Sequence, residues 1–387
     1  MKKFIKSLLQ FLLKIILGGA VAIIIAIIVM LFRGEQIPNF LEGLNIYLIL
    51  AFILTISFFT LITSIGAWFQ VFLHELGHLI AGKLSGYKFV SFSVGRFTII
   101  RENGKLVRKR LGFPSLAGQC LMSPPDVADE QFKFPFTLYN LGGGLANITF
   151  SLLLLPIRLA TSGIVSSVVL AIILMGILFA LLSLIPLKLG GIPNDGFNVR
   201  LCKSSLENRR AFWIQLRYAA LLAQGIRVRD MPREWFNDER IPESEIIGVL
   251  AMMWCYYLID TGELEQARDY VKTILESPGK TLELHLNGLR CELLFVELVH
   301  ECQPEEIEKL YTKNLQTYTQ TMAVLVSTQR LLYAYECLHT KDETKAIEAL
   351  ANFEKACLNT PYRGELASER ELIELVKQTA EAKKGLL

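Results

Sequence analysis

The chain has 387 residues, of which 52% are hydrophobic and 20% are charged, and its formal net charge is +3 at pH 7. This composition is too apolar for a disordered chain, and the small net charge excludes a protein that binds nucleic acid through a strongly basic surface. Residues 1–187 contain several long uncharged runs, whereas residues 201–387 have the pattern of a soluble helical chain. The sequence therefore predicts a membrane half followed by a soluble half.

Four segments reach the length of roughly 20 apolar residues that a helix needs to cross a bilayer. They are residues 15–32, a long segment that begins near Ile46, residues 136–157 and residues 164–187. The first follows four lysines, as a signal peptide does, but its apolar core is long and no small-residue cleavage site follows, so we interpret it as an uncleaved anchor. Lys and Arg are dense in every second connection, which predicts that both termini are cytosolic.

The second segment ends in the sequence His74-Glu75-Leu76-Gly77-His78, which matches the pattern H-E-x-x-H. On a helix, His74 and His78 share one face, so both imidazoles can bind one Zn²⁺. Glu75 then lies beside the metal, where it can accept a proton from the attacking water and give one to the leaving amine. Three ionisable residues at the end of an apolar run also indicate function. The motif therefore predicts a catalytic zinc site.

A catalytic zinc needs a third protein ligand, and the remaining histidines all lie in residues 201–387. Asp195 is the one acidic residue in residues 131–206, and it follows the fourth segment, which the predicted topology returns to the side of the two histidines. We therefore interpret Asp195 as the third ligand, although Asn194-Asp195-Gly196 is also a common turn sequence. The alternative ligands lie in the loop before the third segment: Cys120, Asp126, Asp129 and Glu130.

These features resemble those of the site-2 proteases, which are intramembrane zinc metalloproteases. The resemblance covers roughly residues 50–200 and rests on the H-E-x-x-H helix, the glycine-rich segment Gly142–Asn147 and the pair Asp195-Gly196. It implies that Asn147 contacts the substrate backbone or the developing oxyanion. The alternatives are an interhelical hydrogen bond for Asn147 and close helix packing for the glycines.

The chain departs from the family pattern before Asp195. Ser183 stands where the family commonly has Asn, three residues before Pro186, and the connection from Pro186 to Asp195 is longer than in the family. Gly190 and Gly191 lie in this connection, and their backbone freedom allows the chain to fold back toward the metal. We therefore expect Asp195 to reach the two histidines despite the added length.

A segment after the metal motif has strand character. The runs Phe89–Val94 and Phe97–Ile100 precede residues 103–104 (Asn-Gly), a strong signal for a hairpin turn, and Leu106–Arg108 fits the return strand. This cytosolic β-hairpin insert could pair with an extended substrate or only cap the helices. Residues 114–125 are interpreted as a structured loop.

After residue 200 the sequence predicts amphipathic helices joined by turns at residues 260–263, 301–305 and 340–343. The turns recur about every 40 residues, and the pattern loosely resembles tetratricopeptide-type repeats, which commonly bind a partner peptide. The alternative is a plain helical bundle that stabilises the membrane half.

Together these features predict a mostly α protein. Residues 1–200 would form a polytopic bundle of about four membrane spans with a β-hairpin insert, and residues 201–387 an all-α helical-repeat domain. The leading hypothesis is a multi-pass intramembrane endopeptidase with Zn²⁺ as cofactor, which hydrolyses a peptide bond of a membrane-anchored protein or peptide precursor near the cytosolic face. Its partners would be that substrate, the lipid bilayer and a cytosolic protein, but no nucleic acid. The alternative is a non-proteolytic transport or immunity factor that retains a metal-binding motif.

Overall fold

The computed structural model describes residues 46–95, 97–102, 104–110, 118–127, 132–236, 241–300 and 303–385. Three of its helices are long and apolar enough to cross a membrane: Ile53–Leu84, Phe136–Ala160 and Gly163–Leu184. The first is most of α1 (Ile46–Leu84), and the others are α2 (Phe136–Ala160) and α3 (Gly163–Leu184). They match the second, third and fourth predicted segments. The predicted first span, residues 15–32, lies outside the described residues.

One compact unit of the chain contains the described residues up to 70 together with residues 150–177. Buried polar groups join its helices. The Gln70 side-chain amide donates to the Ile172 carbonyl at 3.2 Å, and the Ser151 hydroxyl donates to the Ile173 carbonyl at 3.3 Å. Lipid offers no partners to polar groups, so such bonds fix the register of apolar helices.

The second unit contains residues 71–149 and the described residues from 178 onward. It contains four strands: β1 (Lys88–Val94), β2 (Phe97–Glu102), β3 (Lys105–Arg110) and β4 (Gly118–Ser123). They form an antiparallel sheet with the strand order β3-β2-β1-β4. Gly104 has a positive φ of 80° between β2 and β3, as expected for the predicted turn, while its neighbour Asn103 lies outside the described residues.

The prediction of a loop over residues 114–125 is wrong for residues 118–123, which form β4. β4 pairs with β1, and the register of this pairing shifts between Phe89 and Ser91 of β1. Leu121 and Met122 of β4 are buried. The sequence of β4 contains no β-branched or aromatic residue, so its strand conformation comes from pairing and burial and not from local propensity.

The rest of the second unit is helical, apart from a short hairpin of β5 (Lys188–Leu189) and β6 (Ile192–Pro193). Among the described residues, ten helices follow this hairpin: α4 (Asp195–Ser204), α5 (Leu206–Ala223), α6 (Glu245–Asp260), α7 (Leu264–Glu276), α8 (Glu283–Val299), α9 (Pro304–Leu310), α10 (Lys313–Thr321), α11 (Val326–Tyr335), α12 (Glu343–Asn359) and α13 (Arg363–Gly385). One hydrophobic cluster of this unit includes Met122 of β4, Ile214 of α5 and Phe295 of α8.

Two of the predicted turns in the helical region are fully described. Gly262 between α6 and α7 has a φ of 83°, and Lys341, which precedes α12, has a φ of 56°. The third predicted turn includes residues 301–302, which lie outside the described residues. The tetratricopeptide-like character of these helices and the domain boundary at residue 200 stay predictions.

Candidate metal centre

The last turns of α1 carry two histidines on one face. His74 and His78 are four residues apart, and their Nε2 atoms lie 3.1 Å from each other. The side chain of His78 is buried and that of His74 is half-buried. The prediction that the H-E-x-x-H sequence is helical is therefore confirmed.

Asp195 is the first residue of α4, and its carboxylate reaches both histidines. Its Oδ2 atom lies 3.3 Å from Nε2 of His74 and 3.5 Å from Nε2 of His78. Burial opposes ionisation of this carboxyl, but the hydrogen bonds with the two histidines outweigh burial and hold its pKa well below the ordinary value. The ligand atoms of the three side chains all lie within 4.8 Å of one another.

The long connection before Asp195 folds as a tight hairpin. Gly190 and Gly191 lie between β5 and β6 with φ values of 59° and 87°, which glycine adopts without strain. Asn194 closes the hairpin, because its backbone N–H donates to the Leu187 carbonyl and its Oδ1 accepts from the Leu187 N–H. The same oxygen accepts a hydrogen bond from the first turn of α4 and so caps that helix. The glycine turn thus returns the chain toward the histidines.

Two glycines provide space that this arrangement requires. A Cβ atom at Gly143 would lie 2.6 Å from Nε2 of each histidine, so a side chain there would fill the space between the donor atoms. A Cβ atom at Gly196 would lie 2.2 Å from the Leu184 carbonyl oxygen, so glycine lets α4 begin directly against the end of α3. Close helix packing explains Gly142, whose Cβ would lie 2.6 Å from the Gly77 carbonyl oxygen. The glycine-rich segment therefore has more than one role.

The donor set fits a zinc ion. Catalytic zinc sites use three protein ligands, for example two histidines and a carboxylate, at about 2.0–2.2 Å, and tetrahedral geometry then places neighbouring donor atoms about 3.3 Å apart. The three separations of 3.1, 3.3 and 3.5 Å bracket this value. The residues present can therefore hold one tetrahedral Zn²⁺ and leave its fourth position open.

Hydrogen bonds orient both imidazoles. Nδ1 of His74 lies 3.1 Å from Oδ1 of Asn147, and Nδ1 of His78 lies 2.7 Å from the backbone oxygen of Tyr139. Both acceptors favour a proton on Nδ1, so each Nε2 can give up its proton and bind a metal. A main-chain carbonyl has no residue-type signal, so the role of Tyr139 was not predictable from the sequence.

The carboxylate of Asp195 has its own partner. The Ser183 hydroxyl donates to its Oδ2 atom at 2.8 Å, so serine contacts the candidate ligand at the position where the family commonly has Asn. Asn147 contacts His74, and its predicted contact with the substrate stays a prediction. The sequence identified Ser183 as a departure from the family pattern but did not identify its contact.

Glu75 is buried beside the three ligands and packs against β4. A Cβ atom at Gly118 would lie 2.7 Å from Cγ of Glu75, and the backbone of Cys120 makes a hydrogen bond to the Glu75 carboxyl. The Tyr139 hydroxyl donates to the Cys120 carbonyl at 2.8 Å and so fixes this strand. Gly118 thus leaves room for the catalytic candidate, a role that sequence reasoning missed because the contact joins distant parts of the chain.

Two of the alternative third ligands, Cys120 and Asp126, lie outside this group. Asp126 forms an ion pair with Arg217 at 2.9 Å, and burial raises the pKa of the Cys120 thiol well above its ordinary value. Neither residue belongs to the cluster of His and Asp side chains found among the described residues. Asp129 and Glu130 lie outside the described residues.

Comparison with known proteins agrees with this geometry. The family model of Peptidase family M50 matches residues 60–334, which is more than half of the chain and includes every residue of the candidate centre. No curated protein and no solved structure matches the chain. M50 peptidases are the site-2 proteases, which are zinc metalloproteases, and the three apolar helices indicate a membrane protein. On this evidence the chain belongs to Peptidase family M50.

Proposed function

We propose that this chain is an intramembrane zinc endopeptidase that hydrolyses a peptide bond of a membrane-anchored protein or peptide precursor near the cytosolic face. The observation that supports the proposal is the convergence of His74, His78 and Asp195, with Glu75 buried beside them. A transport or immunity factor with a bound metal would need the three ligands, but it would have no use for a second, non-ligating carboxyl at the centre.

Each residue of the centre has a distinct task in this proposal. His74, His78 and Asp195 would hold the zinc ion, which when bound polarises the scissile carbonyl and makes the attacking water more acidic. Glu75 is the general base, because its carboxyl is not one of the three ligands and can accept a proton from the water and give it to the leaving amine. Contact with β4 keeps the Glu75 carboxyl beside the centre. Asn147 orients His74.

The place of the centre in the chain supports a membrane-anchored substrate. The two histidines lie in the last three or so turns of the candidate span Ile53–Leu84. The Lys and Arg distribution predicts that this end of the span faces the cytosol. The scissile bond would therefore lie near the cytosolic face of the membrane, in a multi-pass protein with both termini in the cytosol. The helices after residue 200 would then be cytosolic and available to a protein partner.

Replacement of the general base tests this function. Purified Glu75→Gln protein should retain about one zinc per chain while its cleavage rate falls by about 10²–10⁴-fold, since proton transfer is lost but the ligands remain. Glu348→Gln, at an exposed glutamate of α12, is the control and should cleave at the wild-type rate. The substrate can be found by comparing the membrane peptides of cells that contain either variant. Wild-type cleavage by Glu75→Gln would exclude the mechanism.

A further inference from the structure

One face of the hairpin formed by β2 and β3 combines exposed apolar and basic side chains. Residues directly opposite each other in paired strands lie on the same face of a sheet. Ile99 is opposite Arg108, and Arg101 is opposite Leu106. Phe97 lies two positions before Ile99 in β2 and so shares this side, which we call the hairpin face. Ile99 is half-buried and the other four residues are exposed, Leu106 to 62%.

The hairpin is strongly basic. Residues 96–110 contain six Lys and Arg residues and one acidic residue, Glu102. Glu102 lies on the opposite side of the sheet, where it forms ion pairs with Lys109 and Arg363. On the hairpin face, the Arg108 guanidinium lies 5.0 Å from the centre of the Phe97 ring, so positive charge and apolar surface are adjacent. Such a surface is complementary to a partner that presents anionic groups beside hydrocarbon.

The same side of the sheet packs against a candidate membrane span. Phe92 of β1 is opposite Ile99, so it lies on the side of the hairpin face. Phe92 is buried, and its ring centre lies 5.8 Å from that of Phe72 in α1. The next two strands, β2 and β3, continue this side of the sheet away from β1. The hairpin face is therefore continuous with the surface that contacts the span.

The contact at Phe72 also sets the level of the sheet relative to a bilayer. The 39 residues of α1 form a helix about 58 Å long, whereas the hydrocarbon core is about 30 Å thick. About 20 residues cross that core, so a crossing that begins at residues 46–53 ends at residues 65–72. Trp68 lies in this interval with 55% of its surface exposed, and tryptophan is enriched at the membrane–water interface. The sheet therefore meets α1 at the level of the lipid headgroups.

We propose that the hairpin face binds anionic phospholipids in the leaflet at this end of α1, with Arg101 and Arg108 at the phosphates and Phe97 and Leu106 at the start of the acyl chains. Basic side chains are attracted to anionic lipids, and apolar side chains beside them are buried at the headgroup boundary. A zwitterionic lipid supplies hydrocarbon but no net charge. The inference does not depend on the peptidase mechanism.

Lipid titration followed by native mass spectrometry tests the proposal, because it counts the lipids bound to the full-length protein. The probes are dioleoyl phosphatidylglycerol, dioleoyl phosphatidylcholine and soluble glycerol phosphate. We expect phosphatidylglycerol to bind at least about tenfold more tightly than phosphatidylcholine, since each basic residue near a membrane surface contributes about fivefold. Glycerol phosphate, which has no acyl chains, should bind much more weakly than phosphatidylglycerol.

Two variants separate the charge from the apolar contacts. Replacement of both arginines, Arg101→Gln with Arg108→Gln, should weaken phosphatidylglycerol at least about tenfold and leave phosphatidylcholine unchanged. Leu106→Ser should weaken both lipids about threefold or more, because apolar burial is lost whatever the headgroup. The control is Lys313→Gln with Lys355→Gln, at exposed lysines of α10 and α12, which removes the same charge and should change neither affinity.

Three results would overturn the proposal. They are equal affinity of the wild type for the two lipids, an equal loss in the arginine variant and the lysine control, and binding of glycerol phosphate as tight as that of phosphatidylglycerol. A further titration uses the acetylated peptide amide Ala-Glu-Leu-Glu-Ala. If the arginine variant lost this peptide but kept its affinity for phosphatidylglycerol, the partner would be an acidic protein segment and not a lipid.

Discussion

Two clusters of ionisable side chains are buried in this chain, and they achieve charge balance in different ways. At the metal centre, the ligand atoms of His74, His78 and Asp195 converge on one small space. In the C-terminal helices, Glu292 and Glu369 converge on the guanidinium of Arg330. The second cluster contains its own cation, whereas the first leaves room for a cation that the chain does not supply.

The hydrogen bonds around each cluster express the same difference. At the metal centre, Asn147 and Tyr139 bond to Nδ1 of the two histidines, on the side away from the other ligand atoms, whereas Ser183 bonds to Oδ2 of Asp195, the oxygen that faces both histidines. In the helical cluster, the polar atoms bond directly to Arg330, apart from the one unused donor at Nη1. Imidazoles whose outer nitrogens are hydrogen-bonded, and whose inner nitrogens converge with a carboxylate, therefore distinguish a candidate metal site from a structural ion cluster.

Removal of the carboxylate ligand should have the largest effect. Asp195→Ala leaves two imidazoles, so we expect zinc content to fall from about one per chain to near zero and zinc affinity to fall at least about a hundredfold. Cleavage should be lost with the metal. Metal analysis of the purified protein measures the first effect, and Asp126→Ala, which breaks only the pair with Arg217, is the control. If Asp195→Ala retained zinc and Cys120→Ala lost it, the third ligand would be Cys120 of β4 and not Asp195.

Removal of the internal cation should destabilise the helical cluster without affecting zinc. Arg330→Met leaves Glu292 and Glu369 buried without a partner, and we expect a loss of about 3–5 kcal/mol in the free energy of unfolding. Denaturant unfolding in detergent measures it. Arg370→Met breaks the exposed pair with Glu354 and should cost no more than about 1 kcal/mol. If Arg330→Met also lowered the free energy of unfolding by no more than about 1 kcal/mol, the charges of the Arg330 cluster would be solvated.

Removal of the orienting groups should have an intermediate effect at the metal centre. Asn147→Ala and Ser183→Ala each delete one partner of a ligand, so zinc affinity should fall by about 10–100-fold while the ligands remain. Competition with a chelator measures the affinity. The control is Ser151→Ala, which removes a buried hydroxyl that bonds to a backbone carbonyl. Ser151 and this carbonyl both belong to the compact unit that does not contain the zinc ligands, so zinc affinity should be unchanged. An equal loss in all three variants would indicate general destabilisation.

The smallest expected effect is on the pH dependence of stability. The pKa of Glu365 rises from an ordinary 4.5 to about 8 in the folded chain, so the folded state keeps a proton that the unfolded state has already lost. The difference in unfolding free energy between Glu365→Gln and wild type should therefore be constant below pH 4.5. As the pH rises, this difference should change in favour of the variant, by at least about 1.4 kcal/mol at pH 8.

Thermal unfolding of wild type and variant between pH 4.5 and 8 measures this difference. The charged groups nearby are the same in both proteins: Asp260, Glu292, Arg330, Lys355 and Glu369. Glu381→Gln, on the exposed part of the same helix, should follow the wild-type curve. A constant offset between Glu365→Gln and wild type would show that the Glu365 carboxyl is already ionised in the folded chain.

The sequence predicted the features that depend on local pattern or on rare residue types. Apolar length predicted α1, α2 and α3 because a bilayer fixes the length of a span, and His74 and Glu75 were recognisable because ionisable residues are uncommon in such segments. Asp195 was recognisable as the one acidic residue in residues 131–206. The hairpin between β2 and β3 followed from the Asn-Gly turn signal.

The features that the sequence did not predict depend on contacts between distant residues. β4 is a strand because of β1, and the space at Gly143 matters only because two imidazoles face it. Nothing in the sequence marked Arg330, whose partners lie 38 and 39 residues away in other helices. Pairing at such separations depends on how helices pack, which composition and periodicity do not encode.

In the hairpin before α4, the number of residues in the turn does not determine the position of the residue that follows the hairpin. Asn194 bonds to Leu187 at the base of the hairpin and caps α4, so the place of Asp195 is set at the base and not by the number of residues in the turn. Residues added or removed at Gly190 and Gly191 would change only the free tip. Evolution can therefore vary this gap without altering the metal ligands, and a search pattern with a fixed spacing before Asp-Gly would overlook such proteins.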